Sequence, residues 1–320
     1  MKNCFKIVFT LSILLFLTSH VFSQGCSDAG FCTMGAMKPD QPFNKKIALK
    51  LRSMEVSFYR GSTTLSPIVY VATLDLSFNI VDDKTFFQVK LPYHAVKGNL
   101  GKTSGMGDLS LCLTRNISSA GDFDINLSLG GKIPSNDADL TDDINNLPLH
   151  MYYQTSLGTH DLVAGISAIN RNWLFATGIQ HPLNKNKNHF TWAQWVPVYL
   201  NGEGADYVRS YDVGYELKRG TDIMLRIERN FRFSRINFST GLLPIYRIIK
   251  DEVAIASTGQ RVKPDGTTGL AISAIATAGY SFNVRSGVKL LYGRKIKQRD
   301  FNPDGLTRHD VMTVSYYYRF

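Results

Sequence analysis

The chain has 320 residues and a mean hydropathy of −0.10. That is room for one large β domain or two smaller ones, and beyond the amino terminus no segment is apolar enough for a membrane-spanning helix. Lys and Arg outnumber Asp and Glu by 36 to 26, a net charge of +10. The basic residues are scattered through an exported chain, which excludes nucleic acid and favours an anionic lipopolysaccharide surface or an anionic solute as partner.

Residues 1–23 read as a secretory signal: Lys2 and Lys6 precede an apolar run over residues 7–17 that is too short to cross a bilayer as a helix. Cleavage is expected after Ser23. Residues 24–45 have no hydrophobic period and form a periplasmic lead-in. Cys26 and Cys32 lie in it, and in an oxidising compartment they are expected to close a small disulfide loop. No His lies between residues 25 and 43 to complete a metal site. Cys112 falls on the polar face of a later strand and is expected to face a lumen.

From Lys46 onward the chain alternates. Ile68, Tyr70, Ala72, Leu74, Leu76, Phe78 and Ile80 share one face, opposed by Thr73, Asp75, Ser77 and Asn79. Leu109, Leu111 and Leu113 oppose Ser110, Cys112 and Thr114. Phe123, Ile125, Leu127 and Leu129 oppose Asp124, Asn126 and Ser128. Period two marks strands, since helices repeat apolar residues at three and four. Strands are predicted at 46–59, 67–81, 84–93, 109–114, 123–133, 160–169, 173–182, 190–199, 207–218, 222–230, 236–246, 270–282, 285–295 and 310–320. Short links near residues 82–83, 118–121, 170–172 and 282–285 belong to the periplasmic side and the longer ones to the outside. Fourteen strands satisfy that parity. The alternative is twelve, with one hairpin lost within residues 190–230.

The final strand puts Met312, Val314, Tyr316, Tyr318 and Phe320 on one face and His309, Thr313, Ser315, Tyr317 and Arg319 on the other, with Val311 the apolar exception. An aromatic strand ending on Phe resembles the last strand of bacterial outer-membrane β-barrels, where Tyr316, Tyr318 and Phe320 would match the signal read by the barrel assembly machinery. The expected fold is therefore all-β: a single antiparallel transmembrane barrel over residues 46–320, in the bacterial outer membrane. Closure leaves no unpaired edge in lipid.

The order Val89-Lys90-Leu91-Pro92-Tyr93, Gly105-Met106-Gly107-Asp108-Leu109 and Gly131-Lys132-Ile133-Pro134-Ser135 resembles the outer-membrane barrels of the phenol-degradation meta-pathway and, more loosely, the fatty-acid transporters. Leu157-Gly158-Thr159-His160-Asp161 is similar to a further turn of that family. Pro134-Ser135-Asn136 stands where the family has Pro-Thr-Gly. The resemblance implies a passive channel for small, hydrophobic solutes. The rival is a non-conducting barrel acting as scaffold, adhesin or secretion partner. Gly105, Gly107 and Asp108 also suit a sharp turn into a strand, the reading preferred over substrate contact.

The polar faces predict a lumen of mixed sign, lined by Asp75, Lys90, Asp124, Lys132, Asp212, Glu216, Arg226, Glu228, Lys289 and Arg319. Such charges must be paired or wet. Tyr59, Tyr70, Tyr93, Trp173, Trp192, Trp195, Tyr199, Tyr246 and Tyr292 are expected to form interfacial girdles. Asp137, Asp139, Asp142 and Asp143 read as a solvated acidic loop, since their spacing misses a calcium-binding loop. With no serine elbow and no His-x-x-x-His pair, no enzymatic activity and no cofactor are expected.

Overall fold

The computed structural model describes residues 50–80, 82–199 and 203–320. Cys26, Cys32 and the signal and lead-in boundaries lie outside the described residues. Strands β1 (Lys50–Ser62), β2 (Ile68–Ile80) and β3 (Asp82–Gly98) open the sheet, followed by β4 (Gly101–Met106), β5 (Leu109–Ala120) and β6 (Phe123–Ile133). Then come β7 (Asp161–Ile169), β8 (Trp173–Pro182), β9 (Asp222–Arg232) and β10 (Ile236–Arg247). After a small external hairpin, β11 (Val253–Ala254) with β12 (Arg261–Val262), the wall resumes with β13 (Gly269–Ser281), β14 (Ser286–Lys297) and β15 (Asp310–Arg319).

Every neighbouring pair is antiparallel, and β1 joins β15 from Ser53↔Arg319 to Ser62↔Asp310. The result is a closed barrel of twelve strands with β4 as an extra strand. The lower half of β3 pairs with β5 and its upper half with β4, so β4 continues the β5 wall outward past a break at Gly107 and Asp108. All twelve wall strands find partners on both sides, which is what a sheet needs where no water can satisfy its backbone.

Period two translates into two faces. Leu127 and Leu129 are 51% and 57% exposed while Asn126 and Ser128 are buried. On β15, Met312, Val314, Tyr316 and the terminal Phe320 face outward, and Val311, Ser315 and Tyr317 are buried inside. The outward set forms the apolar belt a bilayer requires.

Fourteen strands are not found. Residues 190–199 and 207–218, predicted as a hairpin, instead form α1 (Trp192–Trp195), a 3₁₀ turn (Val196–Tyr199), α2 (Glu203–Arg209) and irregular chain. The reason is in the sequence: Trp192, Trp195, Val196 and Tyr199 have helical spacing, and Pro197 has no N–H to give a ladder. The twelve-strand alternative, with the hairpin lost from this stretch, matches the fold. Of the residues expected in the girdles, Tyr70, Tyr93, Trp173, Tyr246 and Tyr292 are exposed on the outer face. Tyr59, Trp195 and Tyr199 turn inward to an apolar cluster instead.

Candidate functional site

Long links at one end of the barrel fold together into a plug. Residues 134–160, 183–199 and 203–221 supply most of it, and Leu149, Tyr152, Tyr153, Phe190, Trp195, Val208 and Tyr211 are its buried apolar centre. That centre packs on Val69, Val71 and Val96, inward-facing residues of β2 and β3. Several of its buried polar atoms find partners within the plug. The Trp195 indole donates to the Pro148 carbonyl (2.6 Å), the Trp192 indole to that of Tyr211 (2.8 Å), and the Leu100 N–H to the Tyr153 hydroxyl (3.0 Å). Asn188 donates to the carbonyls of Ala138 and Leu149, tying the two long links together.

His150 is fully buried among the rings of Tyr152, Phe190 and Tyr211. Its Nδ1 accepts from the Tyr152 N–H (3.1 Å), so its Nε2 carries the proton and donates to the Asp212 carbonyl (2.8 Å). Burial presses its pKa down to about 4. Burial likewise raises the Asp212 carboxyl and pushes the Tyr211 phenol far above its ordinary range.

Beside this centre lies a layer of buried charge. Arg247, at the end of β10, grips Asp222 through Nε and one terminal nitrogen (2.8 Å each). Its other terminal nitrogen binds both oxygens of Asp251 (2.7 Å each). It also reaches Asp304 (3.0 Å), which Arg299 shares (3.1 Å). Burial alone would raise the Asp304 carboxyl, but Arg247 and Arg299 outweigh it and hold it well below the usual carboxylate range. Arg219 pairs with Asp161, and Lys132 lies 3.7 Å from Asp108. The loop between β14 and β15 is bound in through the Asn302 N–H, which donates to Asp212 (2.8 Å).

The family-like turn belongs to this layer. Asp108 accepts from the Ser156 hydroxyl (2.6 Å) and the Leu157 N–H (3.2 Å), so it anchors a plug link as well as entering a strand. Gly107 is glycine because of a close approach: a Cβ there would lie 2.4 Å from the His94 ring. Gly105 packs in the same way against the Asn136 side chain.

Below the plug the inner face carries charges of both signs. Gln88 donates to both oxygens of Asp75 (2.8 Å each), with Lys90 3.6 Å away. Arg226 pairs with Glu228, and Lys289 lies 4.0 Å from Glu55. Asp124 and Arg319 sit at the opposite end, around a cavity. Two candidates are misplaced. Asp212 and Glu216 are not on a wall strand: Asp212 is inside the plug and Glu216 is part-exposed, paired with Lys185 and Arg261, because the segment carrying them is not a strand. The acidic loop holds no candidate metal cluster among the described residues. Asp142 accepts from the N–H groups of Ile144, Asn145 and Leu147, and Asp139 pairs with His189.

One feature of the lumen escaped the sequence reading. Cys112, Val163, Leu174, Ala176, Met224 and Leu243 form a second buried apolar cluster on the inner faces of β5 and β7–β10. Its signal was present as consecutive apolar residues that break the alternation: Leu162-Val163, Trp173-Leu174, Ile223-Met224 and Leu242-Leu243.

No protein-family model matches the chain, and no curated protein matches it. Among solved structures it is similar to the COG4313 outer membrane channel from Pseudomonas putida F1, with a TM-score of 0.57 and 13% identity over 88% of this chain and all of that one. It is also similar to the NanC porin (TM-score 0.48, 7% identity, 84% of this chain, 100% of that one). A third is outer membrane phospholipase A from Escherichia coli (TM-score 0.39, 10% identity, 85% and 99%). The fold is that of a bacterial outer-membrane β-barrel, and the outer membrane is where this chain resides. The third similarity corrects one expectation. Lack of a catalytic motif predicted a chain without enzymatic activity, and the presence of a phospholipase among these barrels removes the ground for that exclusion.

Proposed function

We propose that this barrel is a passive outer-membrane channel for small solutes with an apolar body, opened by movement of its plug. The observation that carries the reading is the inner apolar cluster around Leu174, Met224 and Leu243, set between the charge pairs of the lumen. A solute with apolar surface gains from such a wall, while charged neighbours keep their partners. The similarity to a P. putida channel over the whole of that chain supports it, as does the meta-pathway resemblance of residues 89–169. The plug is built from links and not from wall strands, so it can move without breaking the sheet. Tyr316, Tyr318 and Phe320 would present the assembly signal, and exposed basic side chains of the long links, Lys187, Lys218 and Lys263, would meet lipopolysaccharide.

The test is uptake of 1-N-phenylnaphthylamine, an apolar dye held out by an intact outer membrane, together with conductance in planar bilayers. Cells carrying the protein should take up dye faster than cells without it, and a plug-loosened variant faster still. A barrel that neither conducts nor admits dye with the plug loosened would instead be a scaffold or interaction protein.

A further inference from the structure

The lumen end remote from the plug opens into a cavity of about 720 Å³ bordered by the short turns. Five cations from four elements converge on it: Arg171 from the β7–β8 turn, Arg232 and Arg235 at the β9–β10 turn, Lys289 on β14 and Arg319 on β15. Two carboxylates share the lining, Asp122 and Asp124, and Asp124 accepts a hydrogen bond from the Ser119 hydroxyl (2.8 Å). Counting Glu55 beside Lys289 as well, positive charge remains in excess among the described residues. Clefts lined by one sign focus the field and raise the local concentration of counter-ions, and rings of Arg and Lys select anions in pores.

The floor of the cavity is apolar. Tyr317 is buried between two of the cations, its ring centre 4.9 Å from the Lys289 ammonium and 5.1 Å from the Arg319 guanidinium. The ring is fixed. Its hydroxyl lies 3.1 Å from that of Ser281, and Gly287 leaves the room it occupies, since a Cβ there would sit 2.4 Å from the phenolic oxygen. Phe233 and Ile169 extend the apolar lining. An inorganic anion would use the rim and not the floor, a neutral aromatic the floor and not the rim. An organic carboxylate uses both.

We infer that this vestibule is a binding site for small organic anions, a carboxylate on an aromatic or branched apolar body, and that it gives the channel a preference for anions. The channel preference rests on the function proposed above; the binding site does not.

Titration calorimetry of the full-length, detergent-solubilised barrel with benzoate, benzyl alcohol and benzylamine separates the two. Benzoate should bind about tenfold or more tighter than benzyl alcohol, because the extra contacts are charge-assisted, and should weaken as salt rises. Benzylamine should not bind. Replacing Arg235→Gln and Arg319→Gln together should lower benzoate affinity about tenfold and leave benzyl alcohol unchanged. Heat-modifiable migration checks that the variant has assembled, and Lys289→Gln is the independent variant if it has not. Benzoate binding no tighter than benzyl alcohol, or unaffected in the assembled variants, overturns the site. A barrel that conducts without anion preference and binds no benzoate leaves the channel standing and removes this inference. Benzoate binding to a barrel that never conducts does the reverse.

Discussion

Arg247 holds three carboxylates from three separate segments and is the centre of the cluster that closes the mouth, with Arg299 sharing Asp222 and Asp304. Removing one partner of a buried ion pair leaves an uncompensated charge and costs about 3–5 kcal/mol. Arg247→Met is therefore expected to loosen the plug by that order, read as faster proteolysis within residues 248–268 and higher basal conductance while the barrel still migrates as assembled. Arg247→Lys should not restore the wild type, because a single ammonium nitrogen cannot make the two-nitrogen grip on Asp222 and reach Asp251 and Asp304 as well. His150 makes the plug sensitive to acid. Its pKa in place is about 4 against an ordinary 6.5. Above pH 6.5 neither the packed nor the released ring is charged, and it contributes nothing. Between 6.5 and 4 the released ring takes a proton that the packed ring refuses, so the closed form loses up to about 3 kcal/mol, with no further loss below 4. Asp212, raised by burial, works in the opposite sense: it takes its proton first in the closed form, which gains as pH falls. Comparing the pH profile of proteolysis in wild type and His150→Gln isolates the histidine, and parallel profiles would rule it out. At this scale Asp75, Lys90, Lys132, Arg226, Glu228 and Lys289 were legible as lumen residues, because period two fixes the face of any true strand residue. Asp212 and Glu216 were not, because parity has no meaning off a strand.

Among the elements, the plug helices contribute Trp195 and Val208 to the buried apolar centre. Trp195 is buried at 1% exposure with its indole N–H satisfied, so Trp195→Ala is expected to cost about 3–5 kcal/mol through the cavity it leaves. The expected readout is faster cleavage within residues 134–160 and a larger conductance, with the wall intact. Helical spacing at Trp192, Trp195, Val196 and Tyr199 was available in the sequence, but so short a segment also supports an alternating reading. For the wall, Leu129 against Ser128 gives a sharp contrast. Leu129→Arg puts a charge on the lipid face at a cost of about 2–4 kcal/mol near the midplane and should reduce assembled barrel on heat-modifiable gels, whereas Leu129→Ala should not. The inner face is not simply tolerant. Cys112 packs against the inner apolar cluster, so Cys112→Arg would overfill it, an outcome that alternation alone does not foresee.

Over the whole molecule, the short turns gather at one end of the barrel and the long links at the other, the sorting that parity required, although the main count of fourteen strands was not found. A hairpin removes two strands, and two crossings return the chain to the side it left. Fourteen and twelve strands therefore make identical statements about every short turn and long link, and parity could not choose between them. Closure was legible because aromatic and apolar residues repeat at period two in most wall strands, β2, β5, β6 and β15 above all. The plug was not legible as a unit, since its pieces are far apart in sequence and meet only once the barrel brings their ends to one rim. The corresponding expectation is a protein that resists unfolding in cold detergent and migrates differently after boiling, with plug variants changing conductance and protease sensitivity but not that migration.

The partners of Arg247 also set an order of events during biogenesis. Asp222 and Asp251 flank the β9–β10 hairpin, but Asp304 lies in the last external link, between β14 and β15, and β15 forms the seam with β1. The most distant contacts carry the largest loop-closure entropy and are made late. A barrel still zipping toward its seam thus has an unlocked mouth, and the final hairpin shuts the sheet and latches the plug in one stroke. In pulsed proteolysis during refolding, protection of residues 248–268 should arise together with protection of β15 and never before it.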